Sequence, residues 1–206
     1  MPRRVIDLPK LGNEKMILYT INGSGSDSVK ALAKFLHLDV EEKPRNEHRE
    51  ALEAVNPRAT VPTFVKDNQV VTETATILRM LAKNNAPNLL GEDDQEEVRV
   101  DEFIGFLSTT VYAGYLLRFR PDNYVEEKVH YDLVKQKSQS VIAANLDQWE
   151  SKLNGSSFIA SDKLTIADFY AYVLLKWQNG IEALNPANHP KLSEYWNLLK
   201  AQPCFG

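Results

Sequence analysis

Strand-type and helix-type hydrophobic patterns occupy different parts of this chain, and this separation constrains the fold more than any other feature of the sequence. Before about residue 85, short apolar runs alternate with stretches in which apolar residues recur at three- and four-residue steps. After that point only the helical spacing continues. Across 206 residues, this division predicts a small domain that contains a sheet, followed by a longer all-helical domain.

The first domain alternates strand and helix patterns that together predict a small mixed sheet. Met16–Thr20 is a short apolar run that precedes a turn-rich loop, and a helical pattern begins at Ser26. A right-handed crossover would make the first two strands parallel, whereas the last two form an antiparallel hairpin around a polar turn. The predicted order is βαβαββα, with strands over 16–20, 38–41, 60–65 and 70–72 and helices from 26, over 47–55 and over 74–83.

The second domain shows only helical patterns, so the fold class predicted for the chain is α/β plus all-α. Thr165 and Asp168 have the spacing of a capping box before an apolar run, for which we predict a structural role. Helices are expected over 95–118, 123–153, 166–180 and 190–201. The predicted division is an irregular extension over 1–14, a sheet domain over 15–84, a linker over 85–93 and a helical domain over 94–206.

Composition argues against several classes of protein. A net charge of −4 disfavours a nucleic-acid binder with a broad basic surface, and no stretch approaches the roughly 20 apolar residues of a membrane span. The single cysteine, Cys204, allows neither an internal disulfide nor a CxxC pair, which favours a reducing compartment. The four histidines have no metal-ligand spacing. We therefore expect a cytoplasmic protein without a metal, nucleic-acid or membrane partner.

Four motifs give the chain a resemblance to the cytosolic glutathione transferase family over about residues 15–202. They are Leu18-Tyr19 before a Ser/Gly loop, NPRATVPTF at 56–64, TETATI at 72–77 and LTIADF at 164–169. Each motif is weak alone, but four in order with matching spacing are specific. The resemblance implies a thioredoxin-like first domain, a helical second domain, glutathione as cosubstrate and a homodimer. It points to serine-type members, similar to the delta, theta or zeta classes or to a fungal-type relative.

The resemblance also implies where glutathione would bind. In the family the bond corresponding to Val61–Pro62 is cis, and the backbone of Val61 would pair with the cysteinyl part of glutathione as an added strand does. Glu73 would bind the γ-glutamyl ammonium, and Thr74, at a helix N-terminus, would bind its carboxylate. Without a ligand, Pro62 is simply a proline at an edge strand and Thr74 an N-cap residue.

Two further residues belong to the predicted glutathione site. Ala59 stands where delta-like enzymes carry a histidine for the glycine carboxylate of glutathione. Arg58, beside it, could take over that role, or it could be only a solvated surface residue. Thr60 completes the predicted set.

The catalytic task implied by the family is to form a thiolate. A free alkyl thiol has a pKa of about 8.5, and lowering it by two units requires about 2.7 kcal/mol of preferential thiolate binding. A hydroxyl group and the dipole of the first helix could supply this free energy. Ser24 falls at the serine position of the delta and theta classes, and Ser26 is the alternative. Both could instead serve loop and cap chemistry, and Asp27 nearby could oppose thiolate formation.

The second substrate is expected between the two domains, near the loop at Asn22. Apolar and aromatic residues of the first long helix recur at three- and four-residue spacing there, which is also the pattern of a plain core face. With Trp177 from a later helix, the predicted pocket comprises Asn22, Tyr112, Tyr115, Leu116, Phe119 and Trp177.

Three functions remain open from the sequence. The first is transfer of glutathione to a small hydrophobic electrophile. The second is glutathione-dependent cis–trans isomerisation of an activated alkene in specialised metabolism, by reversible addition of the thiolate. The third is a non-enzymatic binding or structural protein of the same fold.

Overall fold

A computed structural model describes residues 15–67, 69–178, 181 and 183–205. The irregular extension predicted over 1–14 lies outside the described residues. Over these residues the chain forms a four-stranded sheet with helices in its first part, followed by helices alone. The predicted order βαβαββα and the helical second part are therefore both confirmed.

The sheet has the strand order β2-β1-β3-β4. Strand β1 pairs in parallel with β2 and antiparallel with β3, which in turn pairs antiparallel with β4. Leu18 on β1 lies opposite Phe64 on β3, and both side chains are fully buried. The strands are Met16–Thr20 (β1), Val40–Pro44 (β2), Thr63–Lys66 (β3) and Gln69–Thr72 (β4).

Strand β2 begins two residues later than the sequence pattern predicts. His37 adopts a left-handed backbone conformation with φ of 53° directly after the first helix, and the ladder with β1 starts only at Val40. The helices of this domain begin within two residues of their predicted positions. They are Ser26–Phe35 (α1), Arg49–Val55 (α2) and Thr74–Asn85 (α3).

The second domain contains five α-helices within the described residues, where the sequence predicts four helices. Two of the predicted helices differ from what the structure shows. The pattern over 95–118 is interrupted by a π-helical turn at Leu107–Val111. The pattern over 123–153 becomes an α-helix only at Tyr131, because two short 3₁₀ turns precede it. The helices are Asp94–Phe106 (α4), Tyr112–Phe119 (α5), Tyr131–Lys152 (α6), Ile166–Lys176 (α7) and Pro190–Lys200 (α8).

Helix α7 joins the two domains into one hydrophobic core. Nearly every side chain of α7 is buried, and the helix packs against α1 and α3 of the first domain as well as α4 and α8 of its own. Phe169 contacts Phe35 of α1 edge to face at 5.6 Å between ring centroids. The C-terminal end of α7 is therefore held next to the loop that precedes α1.

The predicted capping box fixes the start of α7. Thr165 donates through its backbone N–H and its hydroxyl to one oxygen of Asp168, at 2.7 and 3.0 Å. The other oxygen accepts from the Ile159 amide at 3.0 Å and the Tyr195 hydroxyl at 2.7 Å. Complete burial raises the pKa of Asp168, while these donors act to lower it. The structural role predicted for this pair is confirmed.

Replacing Asp168 should strongly destabilise the protein. Asp168→Ala would leave buried donors of Ile159, Thr165 and Tyr195 without an acceptor, and each such group costs about 1–3 kcal/mol. We expect the free energy of unfolding to fall by about 3 kcal/mol or more, measured by chemical denaturation. Asp162→Ala removes an exposed carboxylate that accepts from the Ser157 amide and should cost much less. Equal losses in the two variants would contradict this role for Asp168.

Candidate active site between the two domains

A cavity of about 880 Å³ lies where the two domains meet. This volume falls within the range of about 300–1,000 Å³ that is usual for small-molecule sites. The sheet domain forms one wall, which carries five polar or charged side chains, and the second domain forms the other, which carries four aromatic side chains. The sheet-domain wall comprises Ile21, Gly23, Ser24, Gly25, Arg58, Thr60, Val61, Pro62, Glu73 and Thr74. The helical wall comprises Ser108, Tyr112, Leu116, Phe119, Arg120, Tyr170, Lys176 and Trp177.

The two candidate serines occupy different environments. Ser24 lines the cavity and is partly exposed, whereas Ser26 is fully buried at the first residue of α1 and does not line the cavity. The Ser24 hydroxyl donates to the Ile21 carbonyl at 2.6 Å, and its Oγ accepts from the Ser26 amide at 3.2 Å. The two hydroxyl oxygens are 2.9 Å apart. Because the single Ser24 proton is directed to Ile21, the proton between the two serines comes from Ser26.

Gly25 lets this loop approach the start of α3 closely. A Cβ atom at residue 25 would lie 2.4 Å from Oγ1 of Thr74 and 3.6 Å from Cδ of Pro62. The first distance is too short for any side chain, because Thr74 is itself buried. The absence of a side chain at Gly25 thus brings the Ser24 loop against two other segments that line the cavity.

Thr74 and Glu73 stand at the N-terminus of α3. Thr74 is the first residue of the helix rather than its N-cap, so the capping role considered from the sequence is wrong. Within the described residues, its hydroxyl makes no hydrogen bond to the protein. Glu73 is exposed and adopts φ of 71°, a left-handed conformation that is uncommon for non-glycine residues. Both residues line the cavity beside free amide groups of the helix terminus.

The Val61–Pro62 peptide bond is cis, and both residues line the cavity. The ladders of β3 with β1 and with β4 both end at Thr63. Val61 therefore lies beyond the last paired residue of the sheet. Its backbone is placed where an extended ligand could continue the pairing.

Asn56 organises the loop that leads to this bond. Its side-chain amide donates to the Thr60 carbonyl at 3.3 Å, the Thr60 hydroxyl at 3.1 Å and the Thr63 hydroxyl at 2.9 Å. Its side-chain oxygen accepts from the Arg58 amide at 3.3 Å. The sequence motif contains Asn56, but nothing in the motif alone indicates this supporting role. The Arg58 side chain is exposed on the cavity wall and has no ion pair among the described residues.

The aromatic wall is formed mainly by α5 and the end of α7. Tyr112, Leu116 and Phe119 lie on one face of α5 and line the cavity together with Trp177. Tyr115 is at the inner edge of that face and is fully buried, with its hydroxyl bonded to the side chain of Gln178. The prediction that Tyr115 lines the second-substrate pocket is therefore wrong. Tyr115 supports the wall from behind, through Phe119 at 6.1 Å and Trp177 at 5.2 Å between ring centroids.

Asn22 also lies outside the cavity. Its side-chain oxygen accepts from the ammonium group of Lys30 at 3.3 Å, which directs it to the outer side of the loop. Asp27, which the sequence suggested as an unfavourable charge, accepts from the Gly23 amide at 3.0 Å. Lys30 at 3.4 Å and Lys176 at 3.7 Å offset its charge.

One cavity is therefore lined by Ser24, by all six predicted glutathione contacts and by four of the predicted second-substrate residues. The other three predicted site residues, Ser26, Asn22 and Tyr115, do not line it. Sequence reasoning missed Ser108, Tyr170 and Lys176 on the helical wall. Tyr112 and Glu73 line the cavity from opposite walls; burial is the main cause that raises the pKa of Tyr112, and the Glu73 carboxylate raises it further. Ser108 lies on the π-helical turn, and Tyr170 and Lys176 lie on α7, so only the packing of α7 against that turn brings these three residues to one wall.

The sequence also led us to expect neither a membrane-spanning helix nor a metal site. Among the described helices, none combines the length and apolarity that crossing a bilayer requires. Over the same part of the chain, no three His, Cys, Asp or Glu residues come together as a metal site would require.

Comparisons with known proteins cover both domains. A family model described as the N-terminal domain of glutathione S-transferase matches residues 18–89, and one described as the C-terminal domain matches residues 115–203. A putative glutathione S-transferase alpha-2 of Dictyostelium discoideum is 26% identical over 144 residues. That alignment spans 70% of this chain and 64% of the relative.

Solved structures share the whole arrangement. A glutathione transferase homologue from Sulfitobacter with bound glutathione superposes with a TM-score of 0.84 at 19% identity, over 93% of this chain and 95% of the other. A homologue from Drosophila mojavensis with bound glutathione gives 0.78 at 23% identity, over 92% and 89%. With both domains matched by models of one family, and the same fold in these structures, this chain belongs to the glutathione S-transferase family.

Proposed function

We propose that this protein is a glutathione transferase that activates the thiol of glutathione for attack on a small hydrophobic electrophile. One observation carries the proposal: a single cavity has a polar wall that contains Ser24 and all predicted glutathione contacts, opposite a wall of aromatic side chains. Glutathione bound in the Sulfitobacter and Drosophila mojavensis structures supports the choice of cosubstrate.

The polar wall has groups that match the chemistry of glutathione. The unpaired hydroxyl of Thr74 and the amides at the start of α3 suit the γ-glutamyl carboxylate, and Glu73 suits the adjacent ammonium. Val61 lies beyond the sheet ladders, where its backbone groups can pair with the cysteinyl residue. Arg58 and Thr60 would lie toward the glycine carboxylate, for which a guanidinium is a suitable partner.

Ser24 is the group proposed to stabilise the thiolate. Its hydroxyl would turn from the Ile21 carbonyl toward the sulfur, while the buried hydroxyl and amide of Ser26 continue to donate to Ser24 Oγ. Two donors to the same oxygen polarise its O–H bond and make it a better donor. Ser26 thus acts as a positioning residue, and the N-terminus of α1 adds a favourable potential for the negative charge.

The proposed reaction is a substitution at carbon. The thiol proton passes to water in the cavity, and the sulfur electron pair forms the bond to the electrophilic carbon. The leaving group departs with its bonding electrons. Tyr112, Leu116, Phe119 and Trp177 would hold the electrophile by apolar and aromatic contact next to the sulfur.

Replacing Ser24 should impair thiol ionisation. A hydrogen bond to a charged group contributes about 1.5–3 kcal/mol, so Ser24→Ala should raise the pKa of the bound thiol by about one to two units. We expect a corresponding loss of kcat/KM with chlorodinitrobenzene at neutral pH, measured together with the ultraviolet absorbance of the thiolate. Ser26→Ala should produce a smaller rise, because the Ser24 hydroxyl is still present.

A matched control separates this chemistry from the loss of a buried serine. Ser138 on α6 is as fully buried as Ser26, donates to the Lys135 carbonyl and does not line the cavity. Ser138→Ala should leave the thiol pKa unchanged. If Ser24→Ala also left it unchanged, Ser24 would not be the thiolate donor.

Arg58 provides a separate test of glutathione recognition. Arg58→Ala should raise KM for glutathione about fivefold, as expected for one exposed ionic contact, with little change in kcat. Arg49→Ala removes an arginine that is paired with Glu53 on α2, outside the cavity, and should have no such effect. If the two variants gave equal KM values for glutathione, Arg58 would be only a solvated surface residue.

The assay products distinguish transfer from the other functions. Mass spectrometry of reactions with aromatic electrophiles and with activated alkenes separates an adduct from an isomer of unchanged mass. We expect adducts; an isomer alone would favour the isomerase. No thermal shift with glutathione and no turnover would favour a non-enzymatic role.

Assembly as a homodimer is also part of the proposal. Val98 on α4 is 67% exposed, and Val70 on β4 is partly exposed, which leaves apolar side chains at the surface of both domains. We expect light scattering to give the mass of two chains, and a monomer mass would contradict this. The division into 15–84, 85–93 and 94–206 and the cytoplasmic location stay predictions.

A further inference from the structure

Trp177 links the end of α7 to the loop that carries Ser24. Its indole N–H donates to the carbonyl oxygen of Gly23 at 2.7 Å, across the junction of the two domains. Gly23 directly precedes Ser24 in the chain, so this bond fixes the peptide group from which the serine extends. The side-chain hydrogen bond of Trp177 is thus directed at the serine loop, whereas its backbone N–H donates to Val173 of α7.

The other side of Gly23 is held by Asp27. The Gly23 amide donates to this carboxylate at 3.0 Å, and Lys176, next to Trp177, approaches the same oxygen at 3.7 Å. Gly23 has φ of 76°, while a Cβ there would meet no atom within 4 Å. Glycine is therefore suited to this position by its backbone conformation and not by lack of space.

The ring of Trp177 belongs to the aromatic wall. It lies 5.8 Å from Tyr112, 5.2 Å from Tyr115 and 5.4 Å from Phe119, measured between ring centroids. Its position is therefore set by three aromatic side chains of α5. One side chain consequently contacts the wall for the second substrate through its ring and the serine loop through its nitrogen.

We propose that Trp177 is a positioning residue that acts through Ser24: its N–H holds Gly23, and thereby the serine hydroxyl, in the geometry needed to stabilise the thiolate. This inference rests on the proposed function. It implies that the aromatic wall determines both where a planar aromatic electrophile stacks and where the sulfur is activated. Asp27 holds the same loop by accepting a hydrogen bond from the Gly23 amide, and its carboxylate pairs with Lys176 at the end of α7.

Trp177→Phe tests the proposal because it keeps an aromatic ring in the wall and removes the N–H donor together with the pyrrole part of the indole. We expect the pKa of the bound thiol to rise and kcat/KM with chlorodinitrobenzene to fall about two- to tenfold, the range for one hydrogen bond. KM for the electrophile should change little. Trp196→Phe is the matched control, since Trp196 packs on Tyr172 of α7 away from the cavity and should leave the thiol pKa unchanged.

A double-mutant cycle distinguishes positioning from a general structural effect. In the Ser24→Ala background, Trp177→Phe should produce no further rise in the thiol pKa, because the group that it positions is absent. An equal rise in both backgrounds would overturn the proposal, and so would an unchanged pKa in Trp177→Phe alone. In either case a raised pKa in Ser24→Ala would leave the proposed function intact. If Ser24→Ala had no effect, the proposed function itself would fail.

Discussion

The close approach of the Ser24 loop to the start of α3 depends on the missing side chain at Gly25. A Cβ there would overlap with Oγ1 of Thr74, so the loop would have to move away from the helix terminus. With glycine, the serine hydroxyl, the cis Val61–Pro62 bond and the N-terminus of α3 meet at one edge of the sheet. The arrangement of this wall of the cavity therefore depends on the lack of a side chain at Gly25.

The aromatic wall of the cavity depends on the burial of α7. Because this helix packs against both domains, its end is held beside the loop before α1, and Trp177 reaches Gly23 there. The buried Asp168 fixes the other end of the same helix through four hydrogen bonds. Asp168, which does not line the cavity, thus stabilises the helix whose other end lies beside it.

Much of the fold could be predicted because hydrophobic periodicity reports directly which face of an element is buried. Strand β1 and the start of α1 agree with their predicted positions. The start of β2 was predicted two residues too early, because the spacing of apolar residues within one segment carries no information about where its pairing with β1 begins. The π-helical turn before Tyr112 was missed for a similar reason, since its residues continue the helical pattern without a break.

The sequence by itself determined the order of strands and helices and the four motifs that resemble those of the glutathione transferase family. Only the tertiary structure separated Ser24, which faces the cavity, from Ser26, which is buried beside it. It likewise placed Tyr112 on the cavity wall and Tyr115 behind it, and it brought Lys176 to the site. The physical reason is that a side chain's exposure and partners depend on elements distant in sequence, which local spacing does not describe.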